Sequence, residues 1–202
     1  MRIAIHQPEH FPYMGFFQKM ASVDLFIILD DVKFRKNYFQ NRNKIKSVSG
    51  RDEWITVPVS KDAPSFLIRD VVCSESPNWR KKIIKQIHQN FKFDATGIYD
   101  HTKLIDINMA SIDWARHELG IETRMAFSSE FEAPGTKTER LVNLVRSVGG
   151  TSYVSGQGAR DYLDEALFEE IKVEFFKPNV ENHYSCLYNL TQGVNERWKR
   201  QL

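Results

Sequence analysis

Five consecutive apolar residues, Leu25-Phe26-Ile27-Ile28-Leu29, stand between Asp24 and the pair Asp30-Asp31. A run of this length without alternation reads as a strand covered on both faces, the kind found at the centre of a parallel sheet. Arg2-Ile3-Ala4-Ile5-His6 reads as a shorter buried strand before it. Gly15 to Ala21 reads as a helix between the two, with Phe16, Phe17 and Met20 on its apolar side. Strand, helix and strand joined by a right-handed crossover open a parallel α/β fold.

The rest of the chain extends this pattern. Trp54 to Val59 and Leu67 to Val72 read as two strands joined by a loop holding Pro64, with Pro58 marking an edge or a bulge. Trp79, Ile83, Ile84, Ile87 and Phe91 fall at helical spacing, and Arg80, Lys81, Lys82 and Lys85 lie off that stripe. A helix over 105–119 closes on Gly120 as its C-cap. A strand over 121–127 and a helical stripe through Leu141, Leu144, Val145 and Val148 follow. Strands over 151–155 and 172–176 then flank a helix over 160–171. The expected architecture is α/β: a mostly parallel Rossmann-like sheet flanked by helices, with a small hairpin and helical insertion in the middle. A single domain over 1–202 is expected, with that insertion as a sub-lobe over about 54–119.

Composition excludes several classes. No apolar run approaches the length of a membrane span, and the first residues lack the apolar stretch of a signal peptide. Two cysteines, Cys73 and Cys186, are too few for a disulfide framework and stand in no zinc-finger spacing. A cytoplasmic, reducing compartment is the expectation. The net charge of +2 on 202 residues is small, but residues 32–51 carry seven of the Lys and Arg residues and no acid. A block of this kind is either a solvated loop or an anion site.

Four segments bear residues suited to chemistry. His6 and Gln7 leave the end of the first strand, where open α/β sheets bind ligands. His6 is the candidate general base, since imidazole titrates near neutral pH. His10 and Tyr13 follow in a loop held by Pro8 and Pro12, and His10 is expected to be exposed. Asp30 and Asp31 end the apolar strand on opposite faces, so a shared-proton dyad is disfavoured. Asp31 is the candidate to align His6, and Asp30 to contact substrate. In the basic block, Lys36, Asn41, Arg42, Asn43 and Lys44 suit phosphate oxygens, with aromatic rings for stacking. Ser155 and Gly156 sit at a strand-to-turn junction able to present backbone N–H groups to an anion. The economical alternative there is a tight turn needing glycine. No metal cluster and no activated nucleophile stand out.

Taken in order, His6-Gln7-Pro8, Phe11-Pro12-Tyr13-Met14-Gly15-Phe16-Phe17, Asp30-Asp31-Val32, Asn41-Arg42-Asn43-Lys44-Ile45-Lys46, Trp54-Ile55-Thr56-Val57-Pro58-Val59 and Thr151-Ser152-Tyr153-Val154-Ser155-Gly156 resemble the WbqC-like protein family. The resemblance implies a cytoplasmic transferase of O-antigen or other surface-polysaccharide biosynthesis that moves a glycyl or other acyl group onto an amino sugar. The family's C-terminal pattern is eroded here, and Asn182 to Tyr188 matches it in part.

On that basis the expected acceptor is a nucleotide-linked amino sugar with its pyrophosphate on Arg42 and Lys44. His6, aligned by Asp31, takes the amine proton, and Gln7, Asn41 or Asn43 steadies the oxyanion. No covalently bound cofactor is expected. The donor is an acyl thioester on coenzyme A or on an acidic acyl carrier protein, for which Arg80, Lys81, Lys82 and Lys85 offer a docking face. Membrane insertion and long nucleic acid are disfavoured as partners. Two alternatives are a nucleotidyltransferase, whose HxGH loop His10-Phe11-Pro12-Tyr13 matches poorly, and a non-catalytic module binding RNA or protein through the basic aromatic loop.

Overall fold

A computed structural model describes residues 1–193. Five parallel strands form one sheet in the order β5-β2-β1-β6-β7, and an antiparallel pair, β3-β4, forms a second. The strands of the larger sheet are β1 (Arg2–His6), β2 (Leu25–Ile28), β5 (Arg124–Phe127), β6 (Ser152–Gly156) and β7 (Lys172–Phe176), and the hairpin is β3 (Arg42–Lys46) with β4 (Asp52–Thr56). The helices are α1 (Met14–Ala21), α2 (Trp79–Phe91), α3 (Leu104–Leu119), α4 (Lys137–Ser147) and α5 (Cys186–Thr191). This is the mixed α/β architecture expected from the alternation of runs. Among the described residues no helix is long and apolar enough to cross a membrane.

The chain divides into two compact units. The first takes Met1–Gln7, Gly15–Asp30 and Glu122–Asn179; the second takes Pro8–Met14, Asp31–Ile121 and the residues from Val180 onward.

The first unit is the parallel sheet. All four residues of β2 are buried, as the unbroken apolar run requires, and Ile3 pairs with Leu25 and Ile5 with Ile27 in register. Ile3, Ile5, Leu25 and Ile27 share one face and pack with Val142, Leu144 and Val145 of α4 and with Tyr153 and Phe168. On the other face Phe26 meets Phe16 of α1 with ring centroids 5.0 Å apart. Gly150 lets the turn after α4 close onto this core. A Cβ there would stand 2.6 Å from side-chain carbons of both Ile3 and Val145.

The second unit is built on the hairpin and on α2, α3 and α5. Residues 42–46 alternate outward Arg42, Lys44 and Lys46 with buried Asn43 and Ile45. The basic block therefore contains a strand, which its charge obscures. The loop Pro8–Met14 is held from several sides. Phe11 is fully buried with φ 42°, its N–H donates to Ser111 Oγ at 3.1 Å, and its carbonyl accepts from Asn43 Nδ2 at 2.9 Å.

Three expectations are corrected. Residues 67–72 form no regular strand. They hold a single 3-10 turn, Ile68–Asp70, flanked by isolated bridges from Leu67 to Lys33 and from Val72 to Lys103. The strand expected over 54–59 stops at Thr56, two residues before Pro58, which has no N–H to donate to a ladder. Residues 160–171 make no α-helix. The segment is interrupted at Asp164, whose side chain accepts from the N–H of Ala166 to start a short 3-10 turn, Glu165–Phe168, and Glu169 ends that turn at φ 51°.

Candidate active site at the carboxyl edge of the sheet

In the first unit, β1 has β2 on one side and β6 on the other, so the chain order reverses between β1 and β6. Pairing between these two strands runs from Arg2 with Ser152 to Ala4 with Val154 and goes no further. Past that point β1 ends at His6 and β6 ends at Ser155 and Gly156. This is the switch point at which open parallel sheets take ligands.

His6 is half-buried, with its ring edge-on to Phe16 at 5.0 Å and stacked toward Phe26 at 6.5 Å. Its Nδ1 lies 2.9 Å from the carbonyl oxygen of Gln7. A carbonyl only accepts, so Nδ1 carries the proton and Nε2 presents a lone pair. Burial pushes the His6 pKa down to about 3, the charge of Lys19 lowers it further, and the Gln7 carbonyl opposes both. The ring is therefore neutral around physiological pH. Lys19 is a site residue that the sequence reading does not single out. It lies on α1 only 5% exposed, with its ammonium 5.8 Å from the Phe26 ring centroid. The signal for it is its position between Phe16, Phe17 and Met20 on a short apolar helix.

Asp30 is buried and fully engaged. Its Oδ1 accepts from Ser128 Oγ at 3.0 Å and from the Ser129 N–H at 3.1 Å, and its Oδ2 accepts from Ser129 Oγ at 2.7 Å. It ties the carboxyl ends of β2 and β5 together. Ser155 is buried. Gly156 has φ −75°, and nothing lies within 4 Å of where a Cβ would stand, so its backbone does not require glycine, contrary to the tight-turn alternative.

In the second unit, the outer face of the hairpin gathers cations on an aromatic ring. The Arg42 guanidinium stands 4.3 Å from the Trp54 ring centroid and Lys44 Nζ stands 5.6 Å from it. Arg42 Nε is buried with no hydrogen-bond partner among the described residues. Lys44 reaches Asp52 at 3.5 Å, and Tyr184 donates its hydroxyl to the same carboxylate at 2.6 Å. Asn41 and Asn43 are buried with both ends of each amide in use. Asn41 Oδ1 accepts from the Asn37 N–H and its Nδ2 donates to the Val57 carbonyl. Asn43 Nδ2 donates to the Phe11 carbonyl and its Oδ1 accepts from the Lys44 N–H. Lys36 is exposed. Tyr13 is half-buried with its ring 5.6 Å from that of His183, and burial first, then Glu9, raises its pKa.

These features stand in a chain whose residues 7–190 match the WbqC-like protein family. The chain belongs to that family. The uncharacterized protein Rv1507c of Mycobacterium tuberculosis is 36% identical over 185 residues, covering 85% of this chain and 79% of that protein. No solved structure gave a significant match.

Within this WbqC-like chain, the division into units separates the residues singled out from sequence. His6, Gln7, Asp30, Ser155 and Gly156 fall in the first unit, and Tyr13, Asp31, Lys36, Asn41, Arg42, Asn43 and Lys44 in the second. His10 is a correction: it is fully buried, with Nε2 hydrogen-bonded to the Tyr99 hydroxyl at 3.0 Å. A side chain so enclosed leaves the nucleotidyltransferase-like HxGH comparison without its phosphate-facing histidine. Both cysteines are buried, and burial holds Cys73 up near 11 and Cys186 well above its ordinary value, so both thiols stay protonated at neutral pH. The eroded C-terminal segment closes the second unit. Ser185 N–H donates to the Lys44 carbonyl at 2.9 Å, Cys186 N–H donates to the Pro12 carbonyl at 2.7 Å, and Ser185 Oγ caps α5.

Proposed function

We propose that this WbqC-like chain is a cytoplasmic transferase that moves an acyl or aminoacyl group, glycyl for example, from a thioester to the amino group of a nucleotide-linked amino sugar. The sugar would belong to O-antigen or another surface polysaccharide, modified before export. The observation that carries the reading is His6, a neutral imidazole at the sheet's switch point with its Nε2 lone pair available.

In this reading the acceptor nitrogen attacks the thioester carbonyl. A C–N bond forms, the C–S bond breaks, and the proton lost by the amine passes through His6 to the departing sulfur, which leaves as a thiol. Arg42 and Lys44, held on Trp54, are the second unit's candidates for holding the phosphates of a nucleotide.

The test is direct. Purified protein is incubated with a glycyl or acetyl thioester of coenzyme A and a panel of nucleotide-linked amino sugars, and the amide product is read by mass spectrometry. The expected result is an acylated sugar nucleotide with the wild type and none with His6→Ala, which still binds the nucleotide sugar. Equal turnover in the variant removes His6 from the scheme.

A further inference from the structure

Helix α2 carries no acidic residue from Trp79 to Phe91, and none stands in its first turn. The helix dipole favours carboxylates at that end, and Lys81 and Lys82 occupy it instead. Asn78 at the N-cap makes no side-chain hydrogen bond to relieve it. The basic residues are not scattered around the helix. Lys81, Lys85 and His88 are spaced by four and three residues, which at 100° per residue places them within an arc of about 60°, and Lys92 follows as the C-cap, in the left-handed conformation at φ 55°. All four are exposed. The opposite face is taken up in the unit's interior by Trp79, Ile83 and Ile87. Arg80 does not belong to the row: its guanidinium donates to the Tyr99 carbonyl at 3.0 Å and to the His101 carbonyl at 2.6 Å. Lys82 stands about a quarter-turn away from Lys81. The basic face named from sequence therefore loses Arg80 and Lys82 and gains His88 and Lys92.

Like charges at this spacing repel one another, and no acid of the helix relieves them. Beyond the helix end stands Asp94, whose carboxylate accepts from the N–H and hydroxyl of Thr96 and also interacts electrostatically with His88. From Lys81 to His88 the row runs about 10 Å along the axis, two turns, and Lys92 stands just past the helix end. The row itself has no exposed Phe, Tyr or Trp ring on which bases would stack and no exposed apolar side chain to enter a bilayer. A ridge of three lysines and a histidine, with no acid on its own helix, complements an acidic helix on a protein surface.

We propose that the Lys81–Lys85–His88–Lys92 row docks an acidic, helical acyl carrier protein, which presents the acyl group as a thioester on its prosthetic arm. This rests on the acyl-transfer reading and names the donor within it. The carrier's C–S bond is the one broken, and its thiol is released carrying the proton from the acceptor amine.

The test separates docking from chemistry. A type II acyl carrier protein in its holo form is labelled, and its binding to the full-length chain is followed by fluorescence anisotropy. Wild type is expected to bind it, with affinity falling steeply as salt is raised from low to well above physiological strength. Lys81→Glu/Lys85→Glu/Lys92→Glu should weaken binding by about tenfold or more while leaving nucleotide-sugar binding and the melting temperature unreduced. Carrier affinity unchanged by the triple reversal overturns the proposal. So does tighter binding of the same row to a single-stranded RNA or to anionic phosphatidylglycerol vesicles. Transfer from a coenzyme A thioester, measured alongside, reports on the chemistry alone: its absence with docking intact sinks the transferase reading and leaves the docking surface standing.

Discussion

Asn43 on β3 donates its side-chain amide to the carbonyl of Phe11, 2.9 Å away, and so pins a buried phenylalanine whose backbone lies in the left-handed region at φ 42°. A bulky residue in that region is strained and persists only where its surroundings fix it. Here the fixing comes from Asn43 on one side of the residue and Ser111 on the other. Asn43→Ala leaves a buried carbonyl unpaired and should cost roughly 1–3 kcal/mol, read as a lower urea midpoint. An unchanged midpoint would mean that the ring's packing against Trp114, at 5.8 Å, holds the loop unaided.

Two glycines should behave oppositely. Gly150→Ala forces a methyl group against Ile3 and Val145, both in the core, and overpacking of this kind costs about 1–3 kcal/mol. Gly156→Ala meets nothing and should leave the melting temperature unchanged. A fall in turnover for Gly156→Ala without loss of stability would mark a close approach of substrate to that backbone.

Acid should unfold the protein through half-buried His6 and fully buried His10. His6 and His10 both have pKa values of about 3 in the fold, each lowered chiefly by burial, against about 6.5 in an unfolded chain. Below that pH the unfolded state therefore binds protons that the native state refuses. The stabilisation is complete above the unfolded value and is lost as pH falls toward the folded one, by on the order of 2 kcal/mol per ring at about pH 5. Urea midpoints at neutral and mildly acidic pH measure it. His10→Gln should remove about half of the difference, and a midpoint flat across this range would contradict the burial of both rings.

Arg42→Gln should raise the KM for a nucleotide sugar by about tenfold or more, the scale of one charge-assisted contact, while kcat stays within a few-fold. His6→Gln should do the reverse, lowering kcat by about 100-fold or more with little change in nucleotide binding. Steady-state kinetics on the pair distinguishes the two roles, and parallel losses in kcat and KM for either variant would reject the division.

Much of the first unit is legible in the sequence because its causes are local. The run Leu25 to Leu29 has no polar face and so can only sit inside a sheet, and His6 is the last residue of a strand whose end position is set by the same logic. The hairpin strand Arg42–Lys46 is harder to read although its residues alternate, because charge in the block points to ligands before it points to pleat. Lys19 and His10 escape sequence reasoning for a different reason. Phe26 packs against one and Tyr99 bonds to the other, partners that no spacing in the sequence announces. The 160–171 segment has helical composition but also an aspartate, Asp164, whose carboxylate competes for backbone N–H groups.

The order in which the polypeptide supplies its two units bears on how it is made. The chain crosses from one unit to the other repeatedly, last at Val180, and the second unit still needs Ser185 and Cys186 to hold Lys44 and Pro12. A ribosome adding about 5–20 residues per second therefore leaves the basic hairpin and the apolar faces of α2 and α3 waiting for seconds before their last partners emerge. Nascent chains stalled just short of Ser185 should carry an unfinished second unit, and in that interval the need for chaperones that shield exposed apolar surface is greatest.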